Sequence, residues 1–128
     1  MNAVVSAYQQ LDVIGQIANA SPKELISLLF SGANAKLSRA MGCIRHDDFV
    51  GKAEALSSAM EIIEGLRQSL DLEKGGELAG NLNELYQYCV RRLLRANIDH
   101  DESAVAEVAS LLKTVADAWD ALEPEVAE

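Results

Sequence analysis

Residues 75–97 read GGELAGNLNELYQYCVRRLLRAN, and the spacing of their apolar side chains decides the fold. On a helix advancing about 100° per residue, Leu78, Leu82, Leu85, Cys89, Leu93 and Ala96 fall in one stripe. Their separations of three and four residues keep the stripe straight for about five turns. Tyr86, Val90 and Leu94 form a second row beside it. The two rows together span an arc of roughly 180°, whereas a helix facing a single neighbour needs only ~100°. Packing is therefore expected on two sides. Either two helices of the same bundle supply it, or the Tyr86, Val90 and Leu94 row also receives a helix from another chain.

Composition limits the alternatives. A chain of 128 residues is one domain that can bury about two-thirds of the surface its unfolded form exposes, without a metal or a disulfide. Aromatic residues make up only 5% and there are two prolines, which suits helices better than a sandwich or barrel. The net charge of −9 argues against nucleic acid, whose binding depends on clustered Lys and Arg. Cys43 and Cys89 each sit inside a helical pattern, as structural thiols of a reducing compartment do. No apolar run is long enough to span a membrane, and MNAVVSAYQQ lacks the basic start of a signal peptide. The expected location is the cytoplasm.

Residues 1–20 are apolar without being a strong helix. Val4, Tyr8 and Leu11 have helical spacing and Ile14 and Ile17 continue it, but Gly15 and the β-branched residues weaken the pattern. So short a segment is not stable as a helix by itself. Two readings fit: an arm covering part of the core, or an arm occupying a partner's groove until that partner arrives.

A bundle over residues 21–122 follows. Ser21, Pro22 and Glu24 make a capping box with proline at the first helical position, so a helix starts there and runs to about Arg45. Ile26, Leu29, Ala33, Leu37, Ala40 and Ile44 form its inner face, and Leu28 lies off that face on the side where solvent is expected. His46, Asp47 and Asp48 then turn the chain into a second helix, with Phe49, Ala53, Leu56, Met60, Ile63, Leu66 and Leu70 on one face. Residues 71–76 break it before the third helix. Arg91, Arg92 and Arg95 in the last turns of that helix complement its dipole, or else offer a docking patch to an acidic partner. Asp99 or Asp101 caps a fourth helix carrying Val105, Val108, Leu112, Val115, Trp119 and Leu122, which Pro124 stops. Residues 123–128 read as an acidic tail. Short connectors make neighbouring helices antiparallel, so the expected fold is all-α: an up-down-up-down four-helix bundle with a short N-terminal arm or helix.

Chemistry offers less. Neither histidine follows a glutamate at the spacing of a di-iron bundle. The first and third connectors lie at one end, bringing His46, Asp47 and Asp48 towards Asp99, His100 and Asp101, but capping aspartates explain these residues without a metal. No phosphate-binding glycine loop and no nucleophile with its base can be assembled. An enzyme is not expected, nor a cofactor. What remains is apolar surface: the arm, Leu28, the Tyr86, Val90 and Leu94 row, and Tyr88 on the polar flank of its helix.

Several segments resemble the flagellin-specific export chaperone family FliS: AYQQ at 7–10, ASPKELISLLFSGAN at 20–34, GKAEALSSAMEIIEGL at 51–66, LDLEKGGELAGNLNELYQYCVRRLLRAN at 70–97 and AWDAL at 118–122. The resemblance implies a cytosolic bundle that holds the disordered C-terminal region of flagellin, prevents premature polymerisation and assists delivery to the flagellar export gate, with flagellar regulatory proteins as further partners. It also implies that Tyr8 takes part in partner binding and that the arm yields to bound flagellin. Combined with the apolar rows, the candidate partner-binding residues are Tyr8, Leu11, Leu28, Tyr86, Val90 and Leu94, on a monomer or weak homodimer. A general helical adaptor or homodimeric scaffold is the alternative reading, and a metal-binding bundle a further one.

Overall fold

The computed structural model describes residues 2–11 and 19–122. Ile14, Gly15 and Ile17 of the expected arm, together with Pro124 and the tail, lie outside the described residues. Five helices follow in order: α1 (Ala3–Gln9), α2 (Pro22–Arg45), α3 (Phe49–Gln68), α4 (Leu72–Asp99) and α5 (Glu102–Ala121). Among the described residues there is no strand.

Each boundary has a local cause. The Ser21 side chain accepts from the Glu24 amide at 3.2 Å and the Glu24 carboxylate accepts from the Ser21 amide at 3.4 Å, closing the expected capping box. Asp48, Asp71 and Asp101 cap α3, α4 and α5 in turn, each accepting a backbone N–H two or three residues ahead. The chain reverses between helices through Asp47 and His100, whose positive φ values of 53° and 55° place non-glycine residues in the left-handed region. Asn2 caps α1 by accepting from the Val4 amide at 2.7 Å, so the start of the arm is helical after all.

Helices α2 to α5 pack in a closed square: α2 on α3, α3 on α4, α4 on α5, and α5 back on α2. The arm helix α1 lies outside the square, against α3. Leu29, Leu37, Leu56, Ile62, Ile63, Leu93, Val105, Val108 and Leu112 are fully enclosed at the centre. Burial at these positions drives the assembly, because each large apolar side chain removed from water contributes about 1.5–3 kcal/mol before entropy is counted.

Three details depart from expectation. The break over residues 71–76 is a helical turn followed by a kink at Gly76 (φ 54°, ψ −133°), a conformation that favours glycine. Past the kink Ala79 faces inward, and Leu78, expected in the main stripe, is exposed. In α3 the buried face is wider than one stripe, since α1, α2 and α4 all pack on it; Ala55, Ala59 and Ile62 are buried while Phe49 and Ala53 stay at the surface. Finally, α4 continues to Asp99, so Arg91, Arg92 and Arg95 do not occupy its last turn. Arg92 instead donates to Glu107 on α5, and Arg95 to Asp99.

Candidate functional site

The arm is held by a small set of side chains. Ala7 and Leu11 are buried, and each faces a glycine: Gly65 on α3 opposite Ala7, Gly32 on α2 opposite Leu11. Gln10 fixes the register with both ends of its amide. Its Nε2 donates to Glu61 Oε2 at 2.7 Å, and its Oε1 accepts from the Ser58 hydroxyl at 2.9 Å. Tyr8 is half-buried against the core, and burial raises its phenol above the ordinary tyrosine value. Seven residues of helix have little stability of their own, so this docking depends on the seat.

The second candidate group lies on α4 and grades from inside to outside along its length. Tyr86 is only 3% exposed, Val90 is half-buried against the core, Leu94 is 52% exposed and Ile98, one turn on, is 73% exposed. The expected spare row is therefore not spare at Tyr86, which the square of helices absorbs. Burial, and after it the neighbouring Cys89, pushes the Tyr86 phenol up to about 12. The open end is at Leu94, and Ile98 extends it, a residue missed in the sequence because the helix was expected to stop at residue 97. Phe49 and Val50, exposed at the start of α3, lie at this same end: the Phe49 ring sits 4.5 Å from that of His100. Tyr88 is taken up by α5, its hydroxyl donating to Glu107 Oε2 at 2.5 Å, while Arg92 Nε donates to the other oxygen at 2.7 Å. That hydrogen bond raises the Tyr88 phenol and, with Arg92, holds Glu107 below the usual carboxylate range.

Leu28 stands apart on α2. It is half-buried against the core, and it lines a surface cavity of about 410 Å³ with Asn19, Ala20, Glu24, Ser27 and Ser31. The six candidate residues thus form three groups on three helices: Tyr8 and Leu11 with the arm, Leu28 on α2, and Tyr86, Val90 and Leu94 on α4.

The end where the first and third connectors meet holds a hydrogen-bonded cluster. His100 Nε2 lies 3.0 Å from both the Ile44 carbonyl and Asp47 Oδ1, acceptors that require an N–H there. Its Nδ1 then accepts from Lys52 Nζ at 3.1 Å, and the same ammonium donates to the Asn97 carbonyl at 2.9 Å. Among the described residues no three His, Cys, Asp or Glu side chains converge as metal ligands, and no helix is long and apolar enough to cross a membrane.

Burial, followed by nearby Glu107, pushes the Cys89 thiol up to about 11, whereas Cys43 is only partly covered. Alkylation of the native chain at about pH 8 is expected to label Cys43 and spare Cys89, with both modified after denaturation. Mass spectrometry of the alkylated peptides checks this, and rapid labelling of Cys89 would contradict the enclosed position of that side chain.

The family model described as "Flagellar protein FliS" matches residues 4–126. The chain belongs to the FliS family. It is 48% identical over 122 residues to the flagellar secretion chaperone FliS of Salmonella typhimurium, covering 94% of this chain and 90% of that protein. It is 46% identical over 114 residues to the FliS of Escherichia coli K12, covering 88% and 84%. The FliS of Bacillus subtilis is 34% identical over 114 residues, covering 89% and 81%. FliS proteins are chaperones and not enzymes.

Proposed function

We propose that the chain works in the cytoplasm as a flagellar secretion chaperone that holds the disordered C-terminal region of flagellin, keeps it from polymerising early and hands it to the flagellar export gate. In this reading residues 1–20 are the partner-responsive arm, residues 21–122 the four-helix bundle and residues 123–128 an acidic tail. The observation that carries this reading is the arm: a helix too short to stand alone lies against α3 with Ala7 on Gly65, and just past its end Gln10 bonds to α3 while Leu11 seats on Gly32 of α2. An amphipathic segment of a partner can take the same place once the arm lifts, and Tyr8 is then free to contact it. From there the partner can cross to the open end of the α4 row at Val90 and Leu94, above Tyr86, with Leu28 as a separate anchor. Flagellin must order itself on binding, so an extensive surface supplies specificity while the ordering entropy moderates affinity. The chain meets its cargo as a monomer or weak homodimer.

Leu94→Asp tests the α4 part of this surface. The side chain is half exposed, so the variant is expected to keep its helical circular dichroism and melting temperature. Binding of a flagellin C-terminal peptide, followed by calorimetry, is expected to weaken about tenfold, as for a carboxylate placed in an apolar contact. Unchanged affinity would remove Leu94 from the site.

A further inference from the structure

We propose that Gly65 and Gly32 make the groove beneath the arm selective for a partner segment, in the flagellin C-terminal region, that carries a small residue at the end of a helix and, four positions later, just past that end, a leucine. The proposal rests on the reading that the cargo takes the arm's place. Its basis is the imprint that the arm itself leaves. The arm runs antiparallel to α3, with Ala7 over Gly65, Gln10 beside Glu61 and Ser58, and Leu11 over Gly32 and near Ile62.

The two glycines select differently. A Cβ placed on Gly65 would fall inside the van der Waals envelope of the Ala7 Cβ, an atom fixed to its backbone and unable to swing away. Any residue larger than alanine or serine opposite Gly65 meets the same wall from the other side. A Cβ on Gly32 would meet only Cδ2 of Leu11, the end of a side chain that can change rotamer. That position tolerates adjustment and rewards a large aliphatic group. Between them the Gln10 amide both donates to Glu61 and accepts from Ser58, a pairing that a carboxylate or an ammonium cannot supply in full. Ala7 to Leu11 read A-Y-Q-Q-L with Tyr8 half-buried and Gln9 exposed, so the pattern sought is small, a large side chain partly covered by the core, one free position, amide, leucine.

Two substitutions in the full-length chain free the groove by opposite means. Ala7→Asp expels the arm and leaves Gly65 untouched, and the affinity for a flagellin C-terminal peptide is expected to rise about three- to tenfold because self-occupancy is lost. Gly65→Val also expels the arm but narrows the seat, and affinity is expected to fall roughly tenfold. Gly65→Ala is expected to lie between Gly65→Val and the unaltered chain, and the double variant to bind no better than Gly65→Val alone. Helical circular dichroism is recorded for every variant. If Gly65→Val and Gly65→Ala fold and bind as tightly as Ala7→Asp, the selectivity is overturned. Should the unaltered chain fail to bind the flagellin peptide, the proposed function falls instead. The groove is then judged by a peptide of residues 2–11 added to the Ala7→Asp chain. Binding that disappears with Gly65→Val supports the selective seat, and binding indifferent to that change refutes it.

Discussion

Replacing Leu93 with alanine is expected to destabilise the chain by about 2–5 kcal/mol, while the same change at the adjacent Leu94 is expected to fall within roughly 0.5 kcal/mol of neutrality. Leu93 is fully enclosed on α4, a helix that packs on both α3 and α5, and truncation there loses its transfer energy and leaves a cavity that close-packed neighbours fill only in part. Leu94 points about 100° further round the helix and is half in water already, so truncation opens no cavity. Urea denaturation of both variants measures the difference as a shift in midpoint at unchanged slope. Equal losses at the two positions would mean that Leu94 is enclosed in solution, by a second copy or by a segment of the chain itself. A midpoint for the Leu94→Ala variant that rises with protein concentration would identify the second copy.

That pair of leucines also marks how far the sequence could be read. Spacings of three and four residues placed Leu93 in the core stripe and Leu94 beside it, and capping residues placed the starts of α2 and α5. These signals are local, and tertiary packing only reinforced them. Tyr86 was legible as apolar but not as enclosed. Its row begins between helices and ends in solvent, and how far neighbouring helices extend along a row is not written in the row's own spacing. The arm failed in the opposite sense. Val4 and Tyr8 suggested a helix, and the seat that stabilises it lies at Gly32 and Gly65, positions whose lack of a side chain gives no periodic signal at all. Phe49 misled because it is the first residue of its helix, where an aromatic ring can cap a polar cluster at the rim instead of entering the core. Lys52 was missed altogether, since a lysine one turn into a helix ordinarily reads as surface.

Lys52 is accordingly where a second large effect is expected. The side chain is 4% exposed, and its ammonium joins the end of α4 to the start of α3 by donating to the Asn97 carbonyl and to His100 Nδ1. It also lies 5.1 Å from the centre of the Phe49 ring, whose face attracts a cation. The Asn97 carbonyl belongs to the last turn of α4, where the helix supplies no partner, so the lysine does the work of a C-terminal cap from another helix. Lys52→Met keeps most of the stem and its packing but cannot donate. Two partly buried acceptors then lose their donor, and a destabilisation of about 1–3 kcal/mol is expected despite the gain in apolar character. His100→Ala removes one of those acceptors, so combining the two changes should cost less than adding them separately, by about 0.5 kcal/mol or more. Strict additivity in a double-mutant cycle would show that Lys52 and His100 are not coupled. A Lys52→Met chain as stable as the original would show that the Asn97 carbonyl finds water once the ammonium is gone, which places this end of the bundle in contact with solvent.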